Sequence, residues 1–389
     1  MTPVIADPVG IMALLAATVA FFFWLEARTE WAVWKVFPPL LPIYALPVVY
    51  TNTGLIPGKS AAYDFMSGVV LPVFLVLLLV GIDVASAARV MGRGLLVMLV
   101  GTAGVVLGAP VAFLMVKGWL GPEAWTGMGA LAGSWTGGTG NMAAVAEGLQ
   151  TPGAEFGMAV LADNLVYVVW LPLLLVSKSF ADRFATLAKV PKDRVASIRK
   201  AAEAAARPDK PAKMRDLVTL VALGLVGCWG ATELAQVLPA VPPILSASTW
   251  KILLISSFGI ALSFTPARNI AGSHALAMAL VYLFVANMGA KTDLSALQGT
   301  QTVAFVAGAY LWIALHGVFV FGAAWVLRVD IHTAAIASAA NIGGAASAPI
   351  VAAHHDEALV PVSILMAMVG YAVGNYAAFA AASLCYWVS

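Results

Sequence analysis

Apolar residues run along this chain in stretches of membrane-crossing length, near the roughly 20 residues needed to traverse a hydrocarbon core. Met66-Ile82, Leu95-Val116, Leu217-Ala235 and Val303-Leu327 are examples. The pattern predicts helical elements near 8-26, 32-50, 66-83, 93-117, 124-148 and 157-177 in one half of the chain. In the other they fall near 216-238, 249-265, 271-290, 300-327, 332-353 and 361-387. Nothing remains from which to build a soluble domain.

Composition sharpens this picture. Of the 389 residues 61% are hydrophobic and 10% charged, against about 25% charged in an ordinary soluble globule. The net charge of +2 is uninformative, but its distribution is not: eleven of the 21 Lys and Arg lie between Lys178 and Arg215, against four acids. A basic segment beside apolar spans marks the cytoplasmic side, and this one, with Pro208 and Pro211, reads as a surface linker rather than a nucleic-acid arm. Cys228 and Cys385 sit in apolar spans without metal-ligand spacing and read as packing residues. The run Ile11-Leu25 has neither a basic lead-in nor a small-residue cleavage site, and reads as a retained first span.

The chain also repeats itself. LGAPVAF (107-113) lies against LHGVFVF (315-321), GID (81-83) near KTD (291-293), and GSWTGGTGN (133-141) against AANIGGAAS (339-347), at an offset of about 206 residues. This places Gly137-Gly138 over Gly343-Gly344 and Asn141 over Ser347. If all twelve elements crossed, the loop charges would fall on the wrong side. If the fifth element of each half enters and returns on one side, Arg28, Lys35, Arg89, Arg93, Arg268 and Arg328 join the linker inside, and Lys59, Lys117, Lys251 and Lys291 stay outside. The expected fold is therefore an all-α integral membrane protein of two inverted repeats, each of about five transmembrane helices plus a broken or re-entrant glycine-rich segment. The first repeat is 1-178, with scaffold helices in 1-60, core helices in 61-178 and a broken segment at 124-148. A basic cytoplasmic linker covers 179-214. The second repeat is 215-389, with scaffold helices in 215-268, core helices in 269-389 and a broken segment at 332-353. Both termini are expected to be extracytoplasmic.

Backbone breaks at membrane depth are tolerated only where they are buried in protein or line a cavity. Freed carbonyls there can coordinate a cation, and the N-H groups at a half-helix N-terminus can hold an anion. The two tips give the candidate substrate-binding set Ser134, Thr136, Gly137, Gly138, Thr139, Asn341, Gly343 and Gly344, joined by Asn375 from the following element. The candidate ion-binding set is Thr139, Asn141, Asp163, Asn164 and Ser347, with Asp163 foremost because a carboxylate within an apolar span costs about 2.5-3.5 kcal/mol unless it has a partner. The competing reading is that glycines and serines at small-xxx-small spacing only let helices approach closely. His316 reads as a packing histidine, Asn287 as a cap at the end of its span, Glu147 as reaching solvent, and His354-His355-Asp356-Glu357 as a solvated loop rather than a metal site.

The sequences GSWTGGTGNMAAVAEGL with LADNLVYVVW, and ASAANIGGAASAPIVAA with VGYAVGNYAA, resemble the YjcL-like family of bacterial integral membrane proteins, long catalogued as of unknown function, over nearly the whole chain. More distantly, the paired Gly-Gly breaks resemble those of sodium/glutamate symporters. That resemblance implies a homodimeric, ion-coupled carrier of the bacterial cytoplasmic (inner) membrane that moves a transport domain past a scaffold in the elevator manner. Ala345-Ala346 stand where the first tip has Thr139-Gly140, so the second tip has fewer ligating groups.

The expected function is secondary active transport, by Na+ or H+ symport, of a small anionic or zwitterionic solute such as an amino acid, short peptide or carboxylate. The small-molecule substrate and membrane lipid are the expected partners; no nucleic acid and no further cofactor are expected. A passive channel is the first alternative, since paired re-entrant loops also build filters; a non-transporting receptor or assembly subunit is the second. No HExxH, GxSxG or Ser-Lys constellation suggests an enzyme.

Overall fold

A computed structural model describes residues 3-29, 31, 34, 39-191, 211-292 and 299-389, without the side chains of 84-87. Most of the basic linker, Lys35 and Asp293 lie outside the described residues. The fold is all-α: among the described residues there is a single isolated β-bridge, Val241 with Leu245, and no strand. With lipid as solvent, the backbone satisfies its own polar groups by helix formation.

The helices are α1 (Pro8–Arg28), α2 (Leu40–Asn52), α3 (Ala61–Val80), α4 (Val84–Met91), α5 (Arg93–Val116), α6 (Ala124–Gly148), α7 (Gly153–Val176) and α8 (Ala181–Ala188), then α9 (Met214–Val237), α10 (Ala247–Ser263), α11 (Ser273–Ala290), α12 (Gly299–Leu327), α13 (Ile331–Ile342), α14 (Gly344–His355) and α15 (Val360–Trp387). Side-chain caps start several of them: Asp7 accepts from the Gly10 N-H, Ser60 from Ala62, Ser246 from Thr249 and Asp330 from Thr333. Among the described residues, eight helical segments are long and apolar enough to cross a membrane: those containing α1, α3, α5, α7, α9, α11, α12 and α15. The helices α2 and α10 are apolar but shorter. The chain is a multi-pass membrane protein.

Helix α3 contains a π-turn at Met66–Val70 just before Pro72. Proline has no N-H to offer the carbonyl four residues back, which is that of Gly68. Lys251 on α10 donates its ammonium to this oxygen at 2.9 Å, and the Cys228 thiol on α9 donates at 3.3 Å. The local break is thus satisfied by two neighbouring helices, which fixes α3 against both.

Packing sorts the helices into two groups. In one, α2 lies along α11, α10 and α9 along α3, and α3 along α11. In the other, α6 packs most extensively with α15 and α5 with α12, and α7, α13 and α14 fill the remaining surface. The groups also meet, with α10 and α11 against α6 and α10 against α15, and one buried hydrophobic cluster runs through both. The α5–α12 pair is close and antiparallel: methyl groups added at Gly101, Gly104 and Gly108 would press on Val320, Phe319 and Trp312 in turn, and one at Gly308 on Val116. The α3–α11 pair is also antiparallel, with Phe74 against Phe284 (ring centroids 5.8 Å apart) and Gly81 against Ser273.

Candidate functional site

Helix α6 is two helices joined at Gly138, whose φ of 73° and ψ of -173° lie outside helical space. Its arms lie side by side. A methyl added at Gly133 would sit 3.0 Å from the carbonyl oxygen of Asn141, and one at Gly129 would sit 2.7 Å from the Leu149 side chain, contacts impossible along a straight helix at 1.5 Å rise per residue. Gly129, Gly133 and Gly137, one helical turn apart, form the stripe that permits this approach. The helices α13 and α14 form a second hairpin with 12 residues in each arm. Its turn is Gly343-Gly344, with Gly344 at φ 57°, and its feet meet where His332 Nδ1 and His355 Nδ1 lie 3.0 Å apart.

The two turns touch: a methyl on Gly344 would lie 3.8 Å from the Gly138 Cα. Beside them is a cavity of about 210 Å³. One wall consists of Gly138, Thr139 and Gly140, the opening turn of the second arm of α6, with Gly343, Gly344, Ala345 and Ala346, the opening turn of α14. The opposite wall is Leu78 from α3 with His274, Met278 and Tyr282 from α11. Tyr371 on α15 completes it, its ring against both turns and its hydroxyl accepting from the Ala345 N-H. The cavity therefore lies between the two packing groups. The opening turns of two half-helices thus line it, and helix N-termini are suited to negative charge.

A second polar cluster stands behind the tips. Ser134 and Trp135 on the first arm of α6 donate to the two carboxylate oxygens of Asp163, at 2.8 and 2.9 Å. One turn further along α7, Tyr167 packs on Gly343 and hydrogen-bonds Ser347. A single face of α7 thus holds both hairpins, and the Asp163 carboxylate has two neutral donors.

Of the substrate-site residues expected from sequence, Gly138, Thr139, Gly343 and Gly344 line the cavity. Gly137 packs on Asn141 just behind it. The others are turned to structural partners. Ser134 serves Asp163; Thr136 donates to the carbonyls of Ala132 and Gly374; Asn341 bridges Met98 O and the Thr102 hydroxyl; Asn375 donates to Ser256. Among the ion-site residues, Asn164 bonds its own helix at Val160. Asn141 donates to Tyr371 O, but its Oδ1 is fully buried without a partner, as is that of Asn375.

Three further readings are corrected or sharpened. Asn287 does not cap its helix: it is fully buried, and neither side-chain polar atom has a partner. Glu147 accepts from Ser67 at 3.0 Å and pairs with Lys291 at 3.4 Å instead of facing bulk water. His316 is satisfied by Gly101 O and Ser338. Among the described residues, no group of three His, Cys, Asp or Glu is placed to hold a metal ion. Sequence reasoning missed His274 and Tyr282 in the cavity wall and Trp135 as a donor to Asp163. The spacing 274, 278, 282 on one helical face was readable, but nothing in sequence says which wall α11 forms.

The family model described as "Protein of unknown function (DUF819)" matches residues 13–386. The chain is also 26% identical over 384 residues, 95% of each protein, to the "Uncharacterized membrane protein YjcL" of Bacillus subtilis (strain 168). With a match over nearly its whole length, this membrane protein belongs to the DUF819 family.

Proposed function

We propose that this protein is a secondary active transporter that carries a small anionic or zwitterionic organic solute by Na+ or H+ symport. The carrying observation is the cavity into which two half-helices direct their N-termini. Each terminus brings roughly half a positive charge and N-H groups without helical partners, of which that of Ala345 is given to Tyr371, and Thr139 adds a hydroxyl. The volume suits an amino acid or short carboxylate. The two turns close on each other, which favours a carrier over a continuous pore.

The reading includes an inverted repeat. An arm of 12 residues reaches about 18 Å, short of a hydrocarbon core of about 30 Å, so each hairpin enters and returns on one side. Gly138 and Gly344 occupy equivalent turns, and the stripe Gly129, Gly133, Gly137 corresponds to Ala335, Ala339, Gly343. The repeat partners α5 and α12 run antiparallel, as do α3 and α11, which agrees with inversion and not with parallel repeats. Contacts also pair residues assigned to the same membrane side. Lys117 reaches Val388 O and Lys291 reaches Glu147 outside, while Arg93 reaches Leu327 O and Arg268 reaches Asp83 inside. In this scheme the linker faces the cytoplasm of a bacterial inner membrane.

In an elevator motion, the group of α5–α7 and α12–α15 moves past the group of α1–α3 and α9–α11. We draw the boundary after the third span of each half, and not at residues 60 and 268 as the sequence suggested, because α3 and α11 pack with α2, α9 and α10. The spans α1 and α9 supply the outer face for lipid and for a second copy. The coupling cation uses the ground behind the tips, where Asn141 Oδ1 has no partner and Asp163 has no counter-charge. Uptake into proteoliposomes tests this: a Na+ or proton gradient should drive accumulation, and Asp163→Asn or Asn141→Ala should abolish it. Uptake indifferent to ions and to both substitutions would sink the mechanism.

A further inference from the structure

The two walls of the cavity differ in chemistry. The tip wall offers backbone N-H groups and one hydroxyl, while the opposite wall is apolar at Leu78 and Met278 and carries an imidazole at His274. His274 is the second residue of α11, is exposed, and its ring nitrogens make no hydrogen bond among the described residues. Its ring stacks on that of Tyr371, with centroids 6.3 Å apart and planes at 26°. Since Cε1 of Tyr371 would meet methyls added at Gly138 and Gly344, at 3.4 and 3.9 Å, His274 stands one aromatic ring away from the two turns.

Resting on the proposed anion site, we infer that His274 is a specificity-determining residue that hydrogen-bonds a second acceptor group on the substrate. The substrate class is then a short carboxylate bearing a hydroxyl, carbonyl or second carboxylate at its far end, not a plain alkanoate. The tips hold one end, and the chain of the ligand lies along Tyr371. An imidazole N-H then meets the acceptor at an ordinary hydrogen-bond length of about 2.9 Å. Because His274 belongs to the helix group opposite the tips, such a ligand bridges the two groups, whereas a plain alkanoate touches only one.

Thermal stabilisation of the purified full-length protein tests the idea, using propionate and butyrate as plain acids and 3-hydroxybutyrate and succinate as acceptor-bearing ones. A ligand that binds the native state raises its apparent stability, so each acid yields an apparent Kd. The expected result is tighter binding of the acceptor-bearing acids by wild type. His274→Phe, which keeps the stacked ring, should lose that preference by about tenfold, and His274→Gln, which keeps a donor, should retain part of it. The readout is the ratio of the two Kd values within each protein, which a general change in the cavity wall would leave unmoved. A preference unchanged in His274→Phe, or no preference in wild type, overturns the role of His274 while leaving the anion site standing. Stabilisation by none of the acids overturns the anion site and the role of His274 together.

Discussion

Replacing Gly138 with alanine should damage the first tip through its backbone. At φ 73° and ψ -173° this residue lies in a region that is essentially glycine-only, where a side chain costs about 1-3 kcal/mol. The added Cβ would also meet the Tyr371 ring at 3.4 Å, a close but tolerable contact. Gly344 has a φ of 57°, in the range that favours glycine, so Gly344→Ala should cost about 1-2 kcal/mol. Gly230, inside α9 with nothing within 4 Å of an added methyl, gives the opposite sign. Alanine there should stabilise by about 0.5-1 kcal/mol through helix propensity. Denaturation in detergent ranks the three, and solute binding reports whether the strain is relieved by opening the tip. If so, affinity should fall about 5- to 150-fold. A Gly138→Ala protein as stable as Gly230→Ala, with unaltered binding, would refute the argument that this backbone turn shapes the site.

Other outcomes follow from single contacts. Asn287 has two buried polar atoms without partners, so Asn287→Leu should raise stability by about 1-3 kcal/mol in a denaturant titration; a loss would mean that the amide has an essential ligand. Gly289→Ala would drive a methyl into the carbonyl of Tyr44 and should loosen α2 from α11, visible as a lower melting temperature. On intact cells, a membrane-impermeant maleimide should label Lys117→Cys but not Lys178→Cys, and both after permeabilisation. The native cysteines are buried and should contribute little background, and labelling of both variants on intact cells would contradict the assigned sidedness.

The glycine-rich tips and their meeting in one site were legible in sequence because breaks at membrane depth are rare and these two recur at a fixed offset. The boundaries of the first broken segment, 124-148, coincide with α6. Less was legible in the direction of side chains. Thr136, Asn341 and Asn375 belong to the right helices, but their polar atoms turn to Gly374, Met98 and Ser256, since a helical residue's partner depends on the rotation of the helix within the bundle. The cavity wall from α11 was missed for the same reason. His274 is an ordinary polar residue near a helix start until packing places it across from Gly138. The grouping of α3 with α2 and α10 rests on contacts such as Lys251 with Gly68 O, which join residues far apart in the chain and leave no local signature.

The pairing of α6 with α15, the most extensive in the molecule, bears on how the protein is made. The arms of α6 are separated at Gly138, and their broken backbone needs a surrounding protein surface. The helix that supplies the largest share of that surface is translated only after the chain between Gly148 and Val360 has emerged. Until then the main partners available to α6 are α3, α5 and α7. Such long-range closure is slow and exposes the nascent chain to misassembly. The last helix acts as the keystone of biogenesis, and a polypeptide halted before Val360 would leave the first tip without its main support.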